Sequence, residues 1–158
     1  MTEREHTMKS IAESRSTLSE VMLPNQANPA GAVHGGEIMK LMDTCGSVAA
    51  MRHAKMNVVT ARVDELVFFH PIKVGQLVIC QSEVAFVGNT SMEVKVTVRV
   101  EDMVSNIPAK VALTAFFTFV ALDKEGKPCK VPELLLETEE EKEVFAHREQ
   151  KYLENKRR

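Results

Sequence analysis

The chain has 158 residues, 44% hydrophobic and 27% charged, with a formal net charge of −2. That length suits one domain with a real core and leaves little room for a second. The charge excludes the clear basic surplus that a general nucleic-acid binder needs, so no nucleic-acid partner is expected.

Met1 to Ser10 is polar and lacks the apolar middle of a secretory signal. Residues 1–14 are expected to form a flexible arm and 15–158 a single domain. Thr17 to Leu23 reads as a first strand. Pro24 to Gly31 (PNQANPAG) is dense in turn formers and reads as a structured loop. From Glu37 to His53 apolar residues fall at Ile38, Leu41, Met42, Cys45, Val48 and Ala49, the spacing of a buried helical stripe. Gly35 and Gly36 precede this helix and leave its first N–H groups unscreened.

The pattern then changes to strands. Asn57 to Phe69 and Leu77 to Val87 are rich in β-branched residues. Met92 to Val100 alternates, with Met92, Val94, Val96, Val98 and Val100 on a buried face and Glu93, Lys95, Thr97 and Arg99 on a wet one. Ala109 to Leu122 is apolar on both faces over much of its length, as a central covered strand is. Asp123 to Pro132 is a turn and an extended exit. Thr138 opens a final helix reaching about residue 156, with Glu141 completing a capping box. The fold class is α+β: an antiparallel sheet wrapped around one long helix, with a helix at the C-terminus. The longest apolar-rich stretch, Val111 to Leu122, is too short to span a bilayer. A cytoplasmic protein without membrane insertion is expected.

Several chemistries lack their residues. Cys45, Cys80 and Cys129 show no paired ligand spacing, and the five histidines are scattered, so reduced thiols and no zinc or other metal are expected. No GxSxG elbow, GxGxxG loop or GxxxxGK[ST] loop occurs.

One dense segment remains, Asn28 to Asp43. It offers a loop amide, a bare helix start and a carboxylate about two turns inside the helix. Hydrolysis of an acyl group passes through a tetrahedral oxyanion. N–H groups at Gly35 and Gly36, with the positive end of the helix dipole, suit that oxygen. Asp43 is suited to activate water or to attack directly, and Asn28 to hold water or the carbonyl. His34 is read either as a polariser of the carbonyl or as a loop histidine bonded to backbone. Asp43 has a plainer reading as a polar-face residue paired with Lys40, although Met39, Gly46 and Ala50 also neighbour it in helical register. Gly35 and Asp43 are eight residues apart, hence about 12 Å along one helix, whereas one carbonyl must meet both within about 3 Å. Two antiparallel copies of the helix would bring them together, so the site demands at least a dimer.

The segment ANPAGAVHGGEIMKLMD (27–43) resembles the start of the hotdog-fold acyl-CoA thioesterases related to brain acyl-CoA hydrolase and the bacterial YciA-type enzymes. Further resembling blocks follow in order: NVVTARVD (57–64), GNTSMEV (88–94), AFFTFVAL (115–122) and the stretch from VPEL to ETEEEK (131–142). The resemblance covers roughly residues 17–156. It implies a five-stranded sheet around a long helix, a homodimer with a continuous ten-stranded sheet, and a trimer of dimers. It implies hydrolysis of fatty acyl-CoA with no required cofactor, coenzyme A being part of the substrate. Asn28 and Asp43 match the family's catalytic asparagine and aspartate, contributed by opposite subunits. By the same resemblance, the strand Asn57, Val58, Val59, Thr60 lines the pantetheine tunnel through its backbone; His34 is counted among the substrate-binding residues. The loop Gly88, Asn89, Thr90, Ser91 lies near the nucleotide. Arg62, Lys127 and Lys130 are candidate phosphate partners. Acyl length is assigned to Met39, Met42, Phe68 and Phe69. The alternative function is a non-catalytic acyl-CoA-binding regulator. A hotdog dehydratase would want a different histidine motif from His34-Gly35-Gly36.

Overall fold

The three-and-four spacing of apolar residues produces the central helix of the computed structural model, which describes residues 8–157. Helix α2 runs Gly35–Ala54 and buries Ile38, Met42, Cys45, Gly46, Ala49, Ala50, His53 and Ala54. It starts at Gly35, so the paired glycines form its first turn and do not precede it. Lys55 ends it in the left-handed conformation, its N–H bonded to Met51 O.

Five strands wrap this helix: β2 (Ser16–Val21), β3 (Asn57–Phe68), β4 (Leu77–Val87), β5 (Ser91–Glu101) and β6 (Lys110–Leu122). They form one antiparallel sheet in the order β2-β4-β5-β6-β3. The alternating valines of β5 face inward as expected, and Leu113, Ala115, Phe117, Phe119 and Ala121 of β6 join them in the core. A Cβ on Gly46 would stand 3.1 Å from the Phe119 ring and 3.3 Å from Val96, so this glycine lets helix and sheet approach closely.

Two expectations change. From residue 8 the chain is structured and not an arm. Strand β1 (Lys9–Ser10) pairs in parallel with β7 (Leu134–Leu135), and α1 (Ile11–Ser14) carries a capping box between Ser10 and Glu13. Ile11 and Ser14 are buried there. Such short elements show no readable period in sequence, and residues 1–7 lie outside the described region. Glu93 is not on a wet face. It is 4% exposed because Arg148, 0% exposed, reaches it from the last helix.

That helix, α3 (Glu139–Lys156), has the expected capping box between Thr138 and Glu141. It lies on the outer side of the sheet. Phe145 and Tyr152 pack on Phe86 with ring centroids 5.0 and 5.1 Å apart. No helix among the described residues is long and apolar enough to cross a membrane.

Candidate active site

The loop before α2 is tied down residue by residue. Pro24–Gln26 form a 3-10 turn, His34 N donates to Gln26 O, and Val33 N donates to Ile72 O. Asn28 Oδ1 accepts from Ala30 N (3.0 Å) and Ala32 N (3.1 Å), and Gly31 adopts φ 85 to close the turn. The loop's own amides therefore occupy the side-chain oxygen. Its Nδ2, a donor, is the group left for a ligand.

The start of α2 is open. Helical bonding begins with Glu37 N donating to His34 O, and no side chain caps the turn. His34, Gly35 and Gly36 are exposed. The Gly35 and Gly36 N–H groups thus lie at the unpaired, electropositive end of a 20-residue helix. The Phe68 ring lies 3.6 Å from where a Gly35 Cβ would stand. A side chain there would crowd both the ring and the approach to the amides.

Asp43 lies half-buried two turns further on. Thr60 Oγ1 of β3 donates to its Oδ1. No ion pair with Lys40 forms among the described residues, so Thr60 and not Lys40 is the side chain that holds Asp43. Thr60 was expected to act through its backbone, and its side-chain role carries no sequence signal. A threonine in a Val/Thr-rich strand is ordinary, and its partner is 17 residues away across the helix–sheet contact.

The other expected contacts are dispersed. Asn57, Val59 and Thr60 are exposed and Val58 half-buried, all on β3, one of the two edge strands of the sheet. Arg62 Nε lies 2.8 Å from Asp64 Oδ1, so that guanidinium is engaged within the chain. In the β4–β5 turn Gly88 N donates to Ser91 O, while Asn89 O and Thr90 O accept from Val131 N and Ala121 N. A Cβ on Gly88 would stand 2.9 Å from the Tyr152 hydroxyl, so this turn is braced by α3. Lys127 and Lys130 are exposed in the turn and extended segment that follow β6. Of the acyl-length candidates, Phe68 and Phe69 are about half exposed and Met39 half-buried. Met42 is fully buried in the core, where it cannot line a tunnel open to solvent.

A family model described as the thioesterase superfamily matches residues 30–106. The cytosolic acyl coenzyme A thioester hydrolase of Rattus norvegicus is 40% identical to 92% of this chain, and the chain spans 39% of that protein's length. A solved acyl-CoA hydrolase from Staphylococcus aureus, in complex with butyryl coenzyme A, coenzyme A and coenzyme A disulfide, is 35% identical. It superposes with a TM-score of 0.83 over 96% of each chain. Structures also exist of variants of that enzyme with an aspartate, an asparagine or a threonine changed to alanine. An apo-hexameric acyl-CoA thioesterase, 30% identical, superposes with a TM-score of 0.89 over 96% of each chain.

Proposed function

Because the chain belongs to the acyl-CoA hydrolase family of the thioesterase superfamily and has its hotdog fold, we propose that it hydrolyses fatty acyl-CoA to a free acid and CoA. One observation carries this reading: Asp43 is held at Oδ1 by Thr60, on the same helix whose first turn offers bare glycine amides. The S. aureus variants altered an aspartate, an asparagine and a threonine, the residue types of Asp43, Asn28 and Thr60.

Each site takes Asp43 from one subunit and Asn28 with Gly35 and Gly36 from the other, since about 12 Å of helix separates Gly35 from Asp43 in one chain. Edge strand β3 favours this pairing. It is 12 residues long and leaves Val59 46% and Val67 44% exposed, an edge that a second copy covers by continuing the sheet. Pairing β3 with β3 about a twofold gives ten strands and sets the two α2 helices antiparallel. The assembly is a trimer of dimers, as the hexameric relative's description supports. CoA runs along Asn57–Thr60 toward the Gly88–Ser91 turn. There Asn89 and Thr90 N–H groups meet phosphate, because Gly88 N is taken by Ser91 O.

In the reaction Asp43 removes a proton from water, and the water oxygen bonds to the thioester carbon. The carbonyl oxygen gathers negative charge against the Gly35 and Gly36 N–H groups and Asn28 Nδ2. When the oxyanion collapses, the carbon–sulfur bond breaks and the CoA thiolate takes the proton from Asp43. Only water and the acyl-CoA are consumed.

Steady-state release of CoA, read with a thiol-reactive chromophore over a series of acyl lengths, tests this. Wild type is expected to turn over. Asp43→Ala and Asn28→Ala are each expected to lose about a hundredfold or more in kcat while melting like wild type. Tight acyl-CoA binding with no release by wild type would instead establish a regulator.

A further inference from the structure

On the outer face of the sheet a single arginine is fully withdrawn from water. Arg148 of α3 places Nε 2.7 Å and Nη2 2.6 Å from Glu93 Oε1. Nη2 also lies 3.4 Å from Asp64 Oδ2. Nη1 lies 3.2 Å from Glu65 Oε1, within ion-pair range but out of hydrogen-bond alignment. The guanidinium stands 4.1 Å from the centre of the Phe116 ring. Arg62 adds a second cation on Asp64. Buried ion clusters contribute little net stability, so what this one holds in place matters more.

It holds an irregular stretch of β3. That strand loses register with β6 twice, between Thr60 and Arg62 and between Asp64 and Val67. Glu65, inside the second irregularity, has φ 53, a conformation side chains rarely adopt without support. Each inserted residue switches which face the following side chains occupy. The residues of β3 turned to α2 are therefore Val58, Thr60, Val63, Leu66 and Phe68, with a step of three across each irregularity. Without the second irregularity Leu66 and Phe68 would turn outward, and the Phe68 ring would leave the first turn of α2.

We propose that Arg148 is a positioning residue for the thioester site. It clamps Asp64 and Glu65 to α3 and so fixes the bulge that turns Phe68 onto Gly35, holding the oxyanion donors in place. This rests on the proposed hydrolase function. Arg148 touches no reacting atom. Its effect passes through β3, the strand that also carries Thr60 to Asp43.

Removing Arg148 alone strands the buried Glu93, so the informative variant replaces the buried pair together, Arg148→Met with Glu93→Met, a change such clusters often tolerate. The double variant is expected to melt near wild type. Amide exchange in residues 63–69 and 35–38 should quicken, and kcat should fall about tenfold or more with KM changed less than about threefold. Glu65→Gln, on a side chain 44% exposed, removes one arm of the clamp without threatening the fold and should move exchange and kcat in the same direction, severalfold. Arg148→Lys should restore part of kcat at most, because an ammonium cannot fork between Glu93 and the bulge. Variants that fold, exchange and turn over like wild type would show that Arg148 only docks α3 and would overturn the proposal. If the double variant does not fold, Glu65→Gln alone decides by the same criteria. If wild type releases no CoA from any substrate, the function reading fails, and exchange at 63–69 and 35–38 still judges the clamp.

Discussion

Among the described residues the side-chain donor to Asp43 is Thr60, expected only as part of a strand lining the CoA path. Thr60 orients the carboxylate by occupying Oδ1, which in the proposed mechanism leaves Oδ2 for the water. Thr60→Val keeps the shape and removes the donor. It is expected to lower kcat about tenfold with little change in Tm, and Thr60→Ser is expected to recover most of that loss, both by steady-state assay and thermal melt. Asn28, Gly35 and Asp43 were legible in sequence because their chemistry is crowded into 16 consecutive residues. The side-chain bond of Thr60 and the burial of Glu93 were not, because each depends on a distant partner: Asp43 for Thr60, and Arg148, 55 residues on, for Glu93.

The far end of α2 holds an element the periodicity did not show. His53 is 1% exposed, and its Nε2 donates to Pro132 O at 2.7 Å, binding the helix to the segment that leads into β7. Its Nδ1 has no hydrogen-bond partner among the described residues. Burial lowers the pKa of His53 below its ordinary 6.5, against a smaller upward pull from the Pro132 bond; Lys9 adds to the lowering and Glu13 opposes it. The unfolded chain therefore takes up a proton near pH 6.5 that the native chain refuses. His53 contributes stability above that pH, and the contribution is lost as pH falls from 6.5 through the lower folded pKa. Melting curves between pH 8 and 5 are expected to show wild type losing Tm below about pH 6.5 relative to His53→Gln, which keeps a donor for Pro132 O but does not titrate. Parallel curves would remove His53 from the account. The long elements were readable by different signs: α2 and β5 by their periodicity, β3, β4 and β6 by β-branched or continuous apolar composition, and α3 by its capping box. Strand β1 and helix α1 have only two and four residues, too few for a pattern.

At the scale of the molecule, one chain holds every proposed catalytic group but separates them along a single rigid helix. Spacing alone predicted this, since helical rise is fixed. The strand order β2-β4-β5-β6-β3 was not readable from periodicity, because pairing β3 with β6 joins segments some 50 residues apart. That order leaves β3, with Thr60 on it, at one edge of the sheet. In the proposed dimer this is the edge that a second copy meets.

Complementation between inactive subunits tests this most directly. Asp43→Ala and Asn28→Ala homodimers are each expected to be inactive, and a mixed dimer of the two would contain one site with both residues intact. After subunit exchange at equal concentrations, random assortment predicts recovery of about a quarter of wild-type kcat. Activity no greater than the sum of the two parents, with mixed dimers demonstrated by mass, would contradict a site shared between subunits.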